Sequence, residues 1–322
     1  MRATASVGDE SELGTSVGSR GPALDAIASN EENPMKRLSS VLLAITLGIT
    51  AACGPDGAPE SQRAILREHV PSMKRHLQQD RERHYAGIVE AARLVAPGFL
   101  VEDPAARERQ MRTALRRIQE PSARGNVPHF VASPMSFLAA VGSDGIVIAR
   151  DSDDDQMKGQ DFAARYASVR AALESGAHGY ELAEFAAEEE GAPPGYSMIF
   201  VAPARRSGEI VGAVVAGIPL WREAERLSRQ MRVDHAPQIE QGLTLWAYLY
   251  KGDRVFYGPE APPELNDTLP DAATRAAGLQ RSPGGFTGQF QAFRRWYGFA
   301  VVPTPGIAED VGLIVLRAEA PN

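Results

Sequence analysis

Residues 140–162, AVGSDGIVIARDSDDDQMKGQDF, hold two apolar runs parted by a turn, then an acidic stretch, then the start of a helix. The runs are Ser136–Val141 (SFLAAV) and Ile146–Ala149 (IVIA), with Ser143-Asp144-Gly145 between them. Short Asp-Gly turns between apolar runs favour a tight reversal, because glycine takes the positive φ that such turns need. A hairpin is expected. The acidic loop Asp151–Asp155 follows, and a helix is expected over residues 162–173.

Three more strands are expected downstream, at Gly179–Phe185, Tyr196–Ala202 and Ile210–Ile218, and an amphipathic helix at Leu220–Met231 closes the unit. The order then repeats. Leu243–Tyr250 and Arg254–Tyr257 flank a Lys251-Gly252-Asp253 turn, a short helix is expected near Asp271–Leu279, and Phe286–Phe293, Trp296–Val302 and Val311–Arg317 read as strands. The repeat is one of pattern rather than of letters.

Upstream of the first hairpin the texture is helical. Ile65, Leu66, Val70, Met73 and Leu77, then Tyr85, Ile88, Val89, Ala92 and Val95, recur at spacings of three, four and seven. Pro71 is expected to kink this helix or begin a new one, and Pro97-Gly98 to end it. Asp103-Pro104 reads as an N-cap followed by proline at the first helical position, opening a second helix with Met111, Leu115 and Ile118 on its apolar face. Its arginines (Arg107, Arg109, Arg112, Arg116, Arg117) are interleaved with acids and read as a solvated face rather than an anion site.

The fold class expected is α+β: a long N-terminal helix followed by two five-stranded antiparallel units. The expected division is N-terminal helices over residues 60–127, a first unit over 128–239 and a second over 240–318. Five antiparallel strands with a helical insertion after the second resemble a PAS-like fold. Two such units behind a long helix resemble the double Cache family of extracytoplasmic sensor domains. The likeness is best in residues 140–162, similar to that family's strand, Asp-Gly turn, strand, Arg-Asp-x-Asp and Gly-x-Asp signature. It implies that the first unit is membrane-distal and holds a small ligand between its sheet and the segment after the second strand.

A PAS-like closure would gather a defined group there. Arg150 and Asp151 end the hairpin; Tyr166 and Arg170 stand four apart on the expected helix, so that both face one pocket. Tyr180, Tyr196 and Met198 lie on the strands expected to floor it. An arginine fork suits a carboxylate, so the expected partner is a small organic ligand bearing one. The bland reading makes the tyrosines half-buried strand residues and the arginines solvated. Amino-acid-binding members of the family carry an arginine followed by an aromatic pair including Trp. Here Arg165-Tyr166 is followed by Ala167, so that pattern is not matched.

Asp151, Asp153 and Asp155 alternate as in a calcium loop, yet Gln156 and Phe162 stand where that loop needs Gly and Glu. No metal is expected. Trp246, Tyr248 and Tyr250 share a strand face and read as sheet core. From Cys53 onward the chain has no G-x-S-x-G, and it has no H-E-x-x-H, Walker loop or G-x-G-x-x-G, so neither an enzyme nor a bound cofactor is expected.

The chain of 322 residues carries a net charge of −7, which argues against a nucleic-acid surface. Residues 35–54, MKRLSSVLLAITLGITAACG, have the order of an export signal: Lys36 and Arg37, an apolar run from Val41 to Ile49, then small residues. The run is too short for a membrane span, which needs roughly 20 apolar residues. Cys53, the only cysteine, follows the small residues as in the lipobox of bacterial lipoproteins, with Thr50 where that family usually has Leu. The resemblance implies a lipid on Cys53, a membrane contact through that anchor, and a cell-envelope location facing the periplasm or outside. Gly54 favours the outer membrane by analogy with lipoprotein sorting. Residues 1–34 are polar and expected to be disordered, and Met35 reads as the true start. Residues 53–59 read as a tether. A separate receptor or transporter is the expected protein partner.

Overall fold

Why two sheets form, and why they face as they do, follows from strand alternation. In the computed structural model, which describes residues 58–120, 127, 129–130, 135–186 and 195–319, each half of the body is a five-stranded antiparallel sheet. The readings on Met35–Gly54 lie outside the described residues, all of which belong to one compact unit, Gly54–Asn322. Among the described residues no helix is long and apolar enough to cross a membrane.

The first sheet comprises β1 (Phe137–Gly142), β2 (Val147–Arg150), β3 (Gly179–Phe185), β4 (Gly195–Arg206) and β5 (Glu209–Pro219) in the order β2-β1-β5-β4-β3. The second comprises β6 (Thr244–Lys251), β7 (Arg254–Phe256), β8 (Phe286–Ala292), β9 (Arg295–Pro303) and β10 (Val311–Ala318) in the order β7-β6-β10-β9-β8. One topology is used twice, as the repeat of pattern implied.

The N-terminal helix is continuous with one irregularity. Its first segment, α1 (Ala58–Ala64), begins inside the stretch read as a tether, and a π-helical turn (Ile65–His69) joins it to α2 (Val70–Val95). Pro71 sits in the first turn of α2 directly after the π-helical turn, and the helical backbone runs unbroken through His69 and Val70. Next comes α3 (Pro104–Gln119), capped by Asp103, whose carboxylate accepts from the Ala106 N–H at 2.9 Å.

The helix-facing side of the first sheet (Leu138, Ala140, Met198, Phe200, Val214, Ala216) shares one core with Met73, Ile88 and Val95 of α2. The same core continues through α6 (Leu220–Asp234) to Leu245, Ala247, Leu313 and Val315 of the second sheet. Ser228 docks α6 on β6, accepting from the Ala247 N–H and donating to its carbonyl, both at 2.9 Å.

The helical insertion differs from expectation. Instead of one helix there are two, α4 (Phe162–Arg165) and α5 (Ala167–Glu174), separated by Tyr166 in an extended conformation. That break voids the four-residue spacing by which Tyr166 and Arg170 were to share a face. A short α7 (Ala236–Glu240) follows α6, and the second insertion contains α8 (Pro263–Asn266) as well as the expected α9 (Ala272–Arg281).

Candidate functional site

The space between the first sheet and its insertion is filled by the chain itself. Phe162, Tyr166 and Val169 pack on Phe137, Ala139, Ile199, Val201 and Val215, all buried. Tyr166 meets Phe162 edge-on at 5.0 Å between centroids, and burial pushes its phenol up from the ordinary tyrosine range. In the second half Tyr248 and Tyr250 fill the corresponding face with Leu269, Phe299 and Leu316.

The open space lies beside that core, at the end of the first sheet nearest the second half. There a half-open cleft of about 850 Å³ is walled by Phe137, Phe185 and Tyr196, by Ser197 and Gln160, and by Trp221 of α6. The second half contributes Arg254 and Tyr257. Three arginines face it, each laid on an aromatic ring. Arg150 stands 5.9 Å over Phe137, Arg165 stands 5.5 Å over Tyr166, and Arg254 stands 5.3 Å over Tyr196 and 5.0 Å over Phe256. A guanidinium lying over a ring meets a carboxylate with its N–H edge, and two of the three already have partners within the chain: Arg165 donates to the Glu184 carbonyl at 2.8 Å, and Arg150 lies 3.5 Å from Asp151.

Of the seven residues expected to form one pocket, the structure brings only Arg150 and Tyr196 to this cleft. Asp151 stands behind Arg150, its Oδ1 3.5 Å from the arginine Nε and its Oδ2 accepting from Gln119. Tyr166 is core. Arg170 is exposed, donates to the Ala163 carbonyl at 3.1 Å and does not line this cleft. Tyr180 and Met198 lie with Phe200 on the α2 side of the sheet, the side of Tyr196 too by alternation, and Tyr196 reaches the cleft because it stands at the very start of β4. Tyr180 and Met198 line a separate cavity of about 240 Å³ with Leu77 and Arg81 of α2 and the Pro303–Ile307 segment. Arg81 closes its edge, donating to the Tyr180 hydroxyl and the Gly306 carbonyl, each at 3.2 Å.

The acidic loop is an anchor for α3. Asp155 accepts from the backbone N–H groups of Arg150 (2.8 Å) and Lys158 (3.0 Å), ordering the turn, and lies 3.5 Å from Arg112. Asp153 pairs with Arg116 at 2.6 Å. The arginine-rich helix therefore has its anionic partner within the chain, at Arg112 and Arg116, where a wholly solvated face was expected.

Among the described residues, Glu68, His69 and His235 are the one group whose donor atoms approach as metal ligands would. Nε2 of His69 lies 2.8 Å from Nη1 of Arg317. Arginine only donates, so Nε2 accepts, the ring proton sits on Nδ1, and no lone pair is left for a cation.

No family model matches the chain, and no curated relative matches it either. Solved structures do. The extracellular domain of a protein described as the histidine kinase vpHK1S-Z8 superposes with a TM-score of 0.51 at 12% identity, over 81% of this chain and 92% of that one. The body has the double Cache fold. The Vibrio cholerae histidine kinase DctB sensor domain aligns with a TM-score of 0.44 at 16% identity, over 81% of this chain and 98% of that one. The Pseudomonas aeruginosa chemoreceptor PctC ligand-binding domain, in complex with GABA, gives 0.44 at 13% identity, over 80% and 99%.

Within this Cache body the sequence missed Arg165, Trp221, Arg254 and Tyr257. Arg165 was legible as the residue before Tyr166. Trp221 directly follows β5 at the start of α6, and Arg254 and Tyr257 come from the second half, which only tertiary packing brings to the first sheet.

Proposed function

We propose that this is a lipid-anchored protein of the cell envelope, exported and held through Cys53, whose double Cache body binds a small organic anion in the cleft. The observation behind this reading is the trio Arg150, Arg165 and Arg254, each stacked on a ring and each facing an open, ligand-sized space. A cleft of this size suits a small molecule. The likeness of fold to the extracellular domain of a histidine kinase supports a sensor-type role. On this reading the first unit is membrane-distal, and the protein presents its occupied or empty state to a separate receptor or transporter.

A thermal-shift series on the full-length chain with small carboxylates tests the binding reading. A ligand that binds only the folded state raises the melting temperature by mass action. No shift with any acid at millimolar concentration would defeat it. Replacing Cys53 with Ser tests the anchor: lipid labelling and detergent partitioning should both be lost.

A second reading has its own observation. Phe162, Tyr166 and Val169 occupy the space between sheet and insertion, as they would in an assembly lipoprotein whose Cache pocket is filled by its own side chains. Truncating Phe162 would then lower stability and leave partner recruitment, rather than ligand binding, as the property to measure.

A further inference from the structure

We propose that the cavity between α2, the first sheet and the Pro303–Ile307 segment is a second binding site, separate from the cleft, and that it takes a small neutral aromatic molecule. It holds whether or not the cleft binds an anion.

The first observation is the make-up of the wall. Leu77 comes from α2, Tyr180 from β3, Met198 and Phe200 from β4, and Pro303 and Ile307 from the end of β9 and the segment after it. Ring and aliphatic surfaces from both halves of the body thus face one half-open space. The Met198 thioether is polarizable and favours contact with a ring edge. Such a wall holds water poorly, because a bound water needs about two to four polar partners.

The second observation is charge. Both signs stand on the wall, Lys74 and Arg81 against Glu223. Glu223 accepts from Nε of Arg226 at 3.2 Å and from its Nη2, Arg81 donates to the Tyr180 hydroxyl and the Gly306 carbonyl, and Lys74 is exposed to water. The neutral polar side chains are engaged as well: Thr304 donates to the Val311 carbonyl and Gln78 to Glu82. An anion would meet Glu223 beside the two cations, and a cation would meet those cations beside Glu223. A charged ligand would give up its water for a wall of mixed sign, which is costly. A neutral molecule loses nothing of that kind.

The third observation is size. The cavity of about 240 Å³ exceeds the roughly 150 Å³ at which an apolar cavity takes up benzene, and falls short of the roughly 300 Å³ where pockets for larger ligands begin. One ring with a short substituent, or two fused rings, fits. A molecule there touches α2, the first sheet and the second half together, and only the folded body offers all three, so binding should raise the melting temperature.

The test is calorimetric titration of the full-length chain at pH 7 with indole, phenol and benzyl alcohol, and with benzylamine as the charged counterpart of benzyl alcohol. Benzyl alcohol should bind at least about fivefold more tightly than benzylamine. Ile307→Trp fills the space from the loop and Leu77→Trp from α2; each, once urea unfolding shows it folded, should weaken the neutral rings about tenfold. Trp221→Ala, on the wall of the cleft, should leave them unchanged. Failure of every neutral ring to bind at millimolar concentration, benzylamine binding as tightly as benzyl alcohol, or neutral-ring affinity untouched by both filling variants overturns the proposal. Loss of neutral-ring binding in Trp221→Ala alone places those rings in the cleft and overturns it too. None of these results bears on binding of carboxylates in the cleft, which is read separately by titration with succinate.

Discussion

Arg226 of α6 reaches back to Asp80 of α2 while also gripping Glu223 one turn earlier on its own helix, at 2.5 Å. Both carboxylates are almost fully buried, with side-chain exposures of 4% and 1%. One cation thus holds two acids at the junction of the long helix and the helix between the sheets. Burial pushes the Glu223 carboxyl up, Arg226 opposes that, and Asp80 adds to it. Arg226→Met leaves two acids without their main counter-charge and should cost about 3–5 kcal/mol at neutral pH. In the variant the folded state takes up protons more readily than the unfolded chain, so its deficit should shrink as pH falls. Urea unfolding at pH 7.5 and pH 5 checks this, and an equal deficit at both values would count against it.

Two buried histidines set an acid limit. Burial, then Arg226 and Arg83, lower the His84 ring to about 3. Burial, then Arg317 and His235, lower the His69 ring to about 4, with Glu319 opposing. Both are neutral in the folded state where the unfolded chain would protonate them, so their contribution is complete above pH 6.5 and is lost as pH falls toward 4 and 3. Each lowers stability by about 1.4 kcal/mol per pH unit inside its window. Glu223 works in the other direction, gaining stability as pH falls through its raised value toward the ordinary 4.5. His84→Gln should flatten the stability profile between pH 6 and 5 relative to the parent; an unchanged slope would show that His84 does not set it.

Gly217 pairs with Phe137 across β1 and β5, and the ring covers the place of a side chain: a Cβ at 217 would lie 2.0 Å from Phe137 Cε1. The ring is also the platform for Arg150 and a neighbour of Phe185, at 5.6 Å. Gly217→Ala should therefore destabilise by about 1–3 kcal/mol through overpacking, and should weaken acid binding without touching any ligand. An unchanged melting temperature would show that the ring moves freely aside.

How far the sequence foretells this depends on the length of the pattern read. The hairpin of residues 137–150 and the strand at Gly179–Phe185 are local, and apolar alternation with an Asp-Gly turn suffices for them. The doubled topology follows from repeating that order. Tyr180 and Met198 fail for a different reason: alternation says which residues share a face, and nothing local says which face meets α2 and which the insertion. Arg170 fails because one residue, Tyr166, leaves the helix. The cleft itself was out of reach, since Arg254 and Tyr257 belong to the second half and reach the first sheet from outside its own segment.

The contrast between Arg170 and Arg165 gives the last test. The two stand five residues apart on the same insertion and were separable only once the break at Tyr166 was seen. Arg165 donates to the Glu184 carbonyl at 2.8 Å, lies over the Tyr166 ring and faces the cleft. Arg170 is exposed and bonded only to the Ala163 carbonyl among the contacts described. Arg170→Ala should change stability by less than about 0.5 kcal/mol, as surface substitutions do, and leave acid binding intact. Arg165→Ala should remove one of three positive charges from the cleft, weaken acids by about 1–2 kcal/mol, and make the remaining binding less sensitive to salt. Titrations of both variants with phenylacetate at 50 and 300 mM sodium chloride decide between them. If Arg170→Ala is the weaker binder, the ligand lies on the insertion's outer face and the cleft is not its site.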